Sequence, residues 1–192
     1  MALKTITPPA TEPISLSEAK KHLRVEITDD DALINALIVT AREYCEGFQN
    51  RKYITQTLEL ILDSFPLSKF IEFKDCSPIQ SITSIKHKDH EGTETTWDAD
   101  NYIVDADSFI GKAVLGYGKS WPSFTPYPVG AVRIQFVAGY GNASAVPSSV
   151  KQAMLLLVGH WYENREAASK NISKEMELAV HALLSLGRAV PV

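Results

Sequence analysis

Apolar residues recur along this chain with two different periods, and the switch between them divides it. Near both ends they return every three or four residues, the spacing of a helix face. Between Ile54 and Val137 they alternate or form short runs broken by turn residues, the pattern of strands. Residues 1–13 fit neither pattern; with three prolines and few apolar positions they read as an extended arm.

The spacing predicts four helices. Ser15 and Glu18 fit a capping box, in which hydroxyl and carboxylate satisfy each other's backbone N–H groups, so a short helix should run to about Leu23 with Leu16, Ala19 and Leu23 on one side. Thr28 and Asp29–Asp31 open a second helix, where negative charge meets the positive end of the helix dipole. Its stripe is Leu33, Ile34, Leu37, Ala41, Tyr44, Cys45 and Phe48, opposed by Asn35, Arg42, Glu43 and Glu46, and it should end near Asn50. The third runs from Val146 to Ala167, with Pro147 in its first turn. Val150, Met154, Leu157 and Trp161 share one face and should pack on Leu33, Leu37, Ala41 and Phe48; Leu155, Leu156 and Tyr162 fall on other faces. A helix apolar nearly all round needs cover nearly all round, from its own core or from another chain. After a polar stretch at Ser169–Ser173, Met176, Ala179, Val180, Leu183 and Leu184 predict a last short helix, with Gly187 as terminator.

Strands are predicted at 54–62, 70–73, 79–88, 93–97, 102–104, 112–115 and 132–137, the third and fourth joined by the Asp89–Gly92 turn. The fold class expected is α+β: a helical bundle (14–50 and 146–188) with an inserted antiparallel β region (54–137) lying beside it, in a single domain over 1–192.

Composition narrows the function. With 45% hydrophobic and 22% charged residues this is ordinary globular material, and 192 residues bury a core without metals or disulfides. A net charge of −4 argues against a broad basic surface wrapped by DNA. Cys45 and Cys76 read as reduced thiols. The N-terminus lacks an apolar core of signal-peptide length, and no stretch is long and apolar enough to suggest a membrane span.

Candidate chemistry is thin. Asp29–Asp31 read as a helix start rather than a metal site. His87, Asp89, His90 and Glu91 crowd a hairpin tip without further ligands at zinc spacing. Gly139-Tyr140-Gly141 lacks the third glycine and the second strand of a dinucleotide site, and reads as a tight reversal into the long helix. His160 and Glu163 lack the second histidine of a zinc-protease motif, and no nucleophile has a base at working spacing. Catalytic, metal and cofactor sites are therefore expected to be absent. Trp161, Tyr162, Asn164 and Arg165 are different: Trp, Tyr and Arg are the types that most often anchor protein interfaces.

Those residues lie in a longer run, Ala138-Gly139-Tyr140-Gly141, Val146-Pro147, Lys151-Gln152-Ala153, Leu155–Leu157 and His160–Glu166. With Leu16–Val25, Leu33-Ile34, Ala41-Arg42, Glu46, Ile54–Thr57, Phe65-Pro66, Ala179-Val180, Leu183-Leu184 and Arg188, it resembles the head–tail connector (adaptor, or head-completion) proteins of tailed phages. The resemblance implies a helical bundle with a β-rich insertion, and a homo-oligomeric ring of about twelve copies under the portal protein. Such a ring extends the DNA channel and supports a tail or stopper protein. DNA would pass without sequence-specific binding, no membrane is involved, and the site is the virion, after synthesis in the bacterial cytoplasm. Tyr162, Arg165, Val180, Leu183, Leu184 and Arg188 would then serve a subunit or portal interface, the last four in a C-terminal segment that docks on the portal. A stopper or tail-completion protein of the same joint, or a small enzyme, stays open as an alternative.

Overall fold

The computed structural model describes residues 1–164 and 174–189. It is mixed α+β, with four helices and two antiparallel sheets among the described residues. The chain divides into two compact units. One holds Met1–Ala10 and Thr55–Gly139, the other Thr11–Ile54 and Tyr140–Val192.

The helical unit contains α1 (Leu16–Leu23), α2 (Asp31–Gln49), α3 (Ser148–Glu163) and α4 (Lys174–Ser185). The capping box forms as its spacing predicts: the Glu18 backbone N–H donates to the Ser15 hydroxyl oxygen (3.2 Å) and the Ser15 N–H to the Glu18 carboxylate (2.7 Å). These bonds hold the Glu18 carboxyl below the usual carboxylate range. Asp30 takes the N-cap position of α2 without a side-chain capping bond, and Asn50 ends the helix in a left-handed conformation that asparagine tolerates better than most residues.

Ile34, Ile38, Ala41 and Cys45 of α2 join Val150, Ala153, Met154, Leu157 and Val158 of α3 in one buried cluster, with Leu37, Phe48 and Trp161 packed against it. The expected stripe is thus largely present but rotated. Ile38, which the reading omitted, is 1% exposed, whereas Tyr44 stands 41% exposed. The third helix is shorter than predicted. Pro147 sits at its cap, outside the helix, and the helix stops at Glu163; the remainder to Ala167 lies outside the described residues. So does the loop expected at Ser169–Ser173. The final helix ends at Ser185, before Gly187. That glycine answers a close approach instead: a Cβ there would lie 3.2 Å from the Gln49 amide.

The other unit is built on a five-stranded sheet, order β1-β2-β8-β4-β5, and a three-stranded sheet, order β3-β7-β6. The strands are β1 (Ala2–Thr7), β2 (Gln56–Leu62), β3 (Phe70–Glu72), β4 (Ile79–Lys88), β5 (Glu94–Trp97), β6 (Tyr102–Asp105), β7 (Lys112–Leu115) and β8 (Val132–Ala138). β8 lies centrally, paired in register with β2 and, across two irregularities, with β4. Alternation fixes the faces: Leu58, Leu60, Ile85, Ile134 and Phe136 turn into a core with Ile71, Phe73 and Ala113, while Glu59, Arg133 and Lys86 lie on the opposite face. The N-terminal arm is extended as expected, and five of its residues, Ala2–Thr5 and Thr7, pair with β2 as an edge strand.

Candidate assembly surfaces

At the C-terminal end of α2 the chain buries polar side chains and satisfies them. Glu46, 3% exposed, accepts from the Tyr53 backbone N–H (3.0 Å) and faces Lys52 (3.0 Å) and Arg42 (3.4 Å). Arg42 also pairs with Glu12 at 2.8 Å, although burial pushes the Glu12 carboxyl above its ordinary range against that attraction. Gln49 donates to the Leu184 carbonyl (2.6 Å) and accepts from the Tyr53 hydroxyl (2.8 Å). Arg51 donates to the Gly187 carbonyl (2.6 Å), Asn50 to that of Ala189 (2.8 Å), and the Ala189 N–H to the Gln49 carbonyl (2.8 Å). The carbonyls at the end of α4, which no helical bond can satisfy, thus find donors on and just beyond α2.

Beside this clasp lies a groove of 190 Å³ lined by Tyr44, Leu157, His160, Trp161, Met176, Glu177 and Val180. Tyr44 meets Trp161 edge to face at 6.3 Å, and its hydroxyl lies 3.3 Å from His181 Nε2. Phe48 stacks on His181 at 4.7 Å, and the Arg188 guanidinium sits over the Phe48 ring, also at 4.7 Å.

The five described residues among the six singled out for assembly do not form one patch. Val180 and Leu184 are buried in the helical core, and Leu183 packs against it. Tyr162 is half-buried, donating to Asp30 at the N-terminal end of α2 (2.5 Å). Arg188 lies over Phe48 near the other end, about 27 Å along the helix. Arg165 lies outside the described residues.

His87 departs from the exposed hairpin tip expected of it. It lies within β4, against Phe124 (4.6 Å) and Phe65 (6.3 Å). Phe65 stacks on Trp121 at 4.9 Å, Trp121 meets Trp97 at 5.1 Å, and Trp97 stacks on Tyr102 at 5.6 Å. This ring cluster is hidden from sequence because its members come from five separate segments, two of them loops. Among the described residues no three His, Cys, Asp or Glu side chains are grouped to hold a metal ion, and no helix is long and apolar enough to cross a membrane. Burial pushes the Cys45 thiol up to about 12 and so leaves it unreactive. Gly139 and Gly141 both take positive φ, which makes the turn before α3 the reversal predicted.

The β unit also exposes apolar surface. On the outer face of its small sheet, Phe70, Val114 and Ile103 form one cross-strand row, with Phe70 38% and Ile103 62% exposed. Every residue of β1 is exposed, although the Leu58 and Leu60 that pair with its Thr5 and Leu3 are buried.

Comparison with known proteins matches this arrangement to one family. The fold is similar to a chain in the neck of an empty gene transfer agent (GTA) particle computed with C6 symmetry: 25% identity, TM-score 0.82, covering all of this chain and 97% of that one. It is equally similar to a chain from the virion of a native GTA particle (25%, TM-score 0.81, the same coverage). A chain from the neck of the native particle computed with C12 symmetry shares the fold at 24% identity, TM-score 0.81. No curated protein matches. The family model for head completion proteins matches residues 12–177, and the chain belongs to that family.

Proposed function

We propose that this protein is a structural component of the head–tail joint of a phage or phage-like particle, where copies form a ring beneath the portal, extend the DNA channel and support the tail. The family match over residues 12–177 carries the reading, and solved neck chains of the same fold support it. Those necks were computed with six- and twelve-fold symmetry, which suits a ring; twelve copies is the number we adopt here. Residues 14–50 and 146–188 act as the helical body and 54–137 as its β-rich insertion. In support, the two crossing points lie side by side: Tyr140 N–H donates to the Tyr53 carbonyl (2.9 Å), and Ile54 bridges Gly141.

On this reading the protein is not an enzyme, and DNA is a passenger. A net charge of −4 gives little phosphate affinity, which suits a channel through which DNA must slide. The clasp at the end of α2 leaves Arg188 exposed over Phe48, able to pair with a carboxylate of the portal. Purified protein mixed with portal-bearing, tail-less heads should bind as a ring resolvable by cryo-electron microscopy and restore tail attachment. Heads that bind tails equally well without it would refute the reading.

A further inference from the structure

We infer that neighbouring copies join through their five-stranded sheets, the outer edge of β1 in one copy pairing with the outer edge of β5 in the next. The inference rests on the ring reading above.

β1 and β5 are the two ends of the sheet, and among the described residues no backbone hydrogen bond is made from the outer edge of either. An open strand edge is a row of unpaired N–H and C=O groups, which proteins normally blunt with charge, proline or cover. β1 has a single lysine, no proline before Pro8, and no buried residue on either face. Leu3 and Ile6, 39% and 42% exposed, remain available to a partner.

A ring needs a heterologous contact, in which two different surfaces of one chain meet. The edges differ and are complementary. All four strand pairings in this sheet are antiparallel, so β1 and β5 run the same way. Copies related by rotation alone therefore bring β5 alongside β1 as a parallel pair. Two β1 edges can pair antiparallel only about a two-fold axis, which closes a dimer and stops there. Face matching fixes the register to steps of two. Leu3 and Thr5 lie on the core side, as their partners Leu60 and Leu58 do; Thr95 and Trp97 of β5 lie on that side too, opposite His87 and Ile85. Lys4 lies on the outer side with Glu59, as do Glu94 and Thr96. Setting Leu3 beside Thr95 of the neighbour puts Thr5 beside Trp97 and Lys4 beside Thr96, diagonal to Glu94. Leu3 then lies diagonal to Trp97, and Lys4 diagonal to the Glu94 carboxylate that Lys86 holds at 2.8 Å within its own chain.

The test is disulfide trapping in assembled particles. Cys45 and Cys76 are buried, so introduced thiols are the accessible ones. The double variants Lys4→Cys with Thr96→Cys, and Lys4→Cys with Glu94→Cys for a two-residue slip, are oxidised with diamide. At least one should give a ladder of chain multiples rising to the closed ring, while Lys4→Cys alone should stay monomeric. A dimer from Lys4→Cys alone would overturn the joint in favour of β1–β1 pairing. No ladder from either double variant in particles that contain the chain would overturn it while leaving the ring reading intact. Tailed particles that assemble without the wild-type chain would overturn both. As a second measurement, Leu3→Glu should leave the melting temperature of the isolated chain within about 2 °C of wild type yet reduce incorporation at least tenfold; normal incorporation contradicts the joint.

Discussion

The helical unit and the β unit dispose of their charged groups in opposite ways, although the β unit also buries the uncharged Gln56 and Ser77. The helical unit draws Arg42, Glu46, Gln49 and Arg51 inside, and the bonds described for them run to other parts of the same unit. The β unit keeps its charged side chains on outer faces, as in the Glu59–Arg133 pair (2.9 Å) and the Lys86–Glu94 pair (2.8 Å), and leaves strand edges open. Buried polar groups are costly unless satisfied, and satisfied ones specify a single arrangement. The helical unit is thereby locked to itself. The β unit is held by an apolar face that tolerates a neighbour on either side, and its unused backbone groups face outward.

If that contrast is right, the two units should differ least in their cores and most in their polar ties. Phe136 is fully buried in the β unit, 4.5 Å from Phe73, and Phe136→Ala should cost about 3 to 5 kcal/mol. Leu157, 5% exposed in the helical core, should cost about 2 to 5 kcal/mol as Leu157→Ala. Urea denaturation of each variant measures both. A Leu157→Ala protein that unfolds like wild type would mean that α3 is not held by this core.

The polar tie comes next. Gln49→Leu keeps much of the volume but leaves the Leu184 carbonyl and the Tyr53 hydroxyl without the partner each has now, an expected loss of about 1 to 3 kcal/mol. The loss should fall first on the segment after Ser185, so amide exchange at Gly187–Ala189 should quicken more than that of the α2 interior. Equal protection in both proteins would remove the clasp from the argument.

What the sequence displayed and what it hid follow the same division. Periodicity located the helices and seven of the eight strands, because each element's pattern is local: the Ser15–Glu18 box and the 112–115 strand both form as predicted. It missed β1, since ALKTIT next to two prolines carries no strong alternation and becomes a strand only by pairing with β2, more than fifty residues away. The α2 stripe that spacing predicts includes Tyr44 and omits Ile38, because spacing gives the face only to within a residue or two and the neighbouring helices decide its centre. The clasp was invisible for another reason. Gln49, Asn50 and Arg51 read as an ordinary polar helix end, and nothing local signals that their partners are backbone carbonyls some 136 residues on. The aromatic cluster of Phe65, Trp97, Trp121 and Phe124 is likewise a product of tertiary structure.

The smallest effect tests the imidazole placed among those aromatics. His87 is half-buried against Phe65 and Phe124, and its Nδ1 is buried with no hydrogen-bond partner among the described residues. Protonating that nitrogen would create an unpaired buried donor, so desolvation lowers the His87 pKa below the ordinary 6.5, against a weaker opposing pull from Asp89. The sign follows by linkage. As pH falls, the unfolded chain takes up its proton near 6.5, before the folded chain does, so stability rises with pH across this window. The contribution is complete above the unfolded value and is lost as pH falls from there towards the depressed folded one. Because the ring is partly exposed, the change should be small. In a Trp161→Phe background, fluorescence comes only from Trp97 and Trp121 and reports the β unit. There the urea midpoint should drop between pH 7 and 5.5, and His87→Phe should flatten that slope. An unchanged slope would mean that His87 titrates alike in the folded and unfolded chains, and that the aromatic cluster does not shield it.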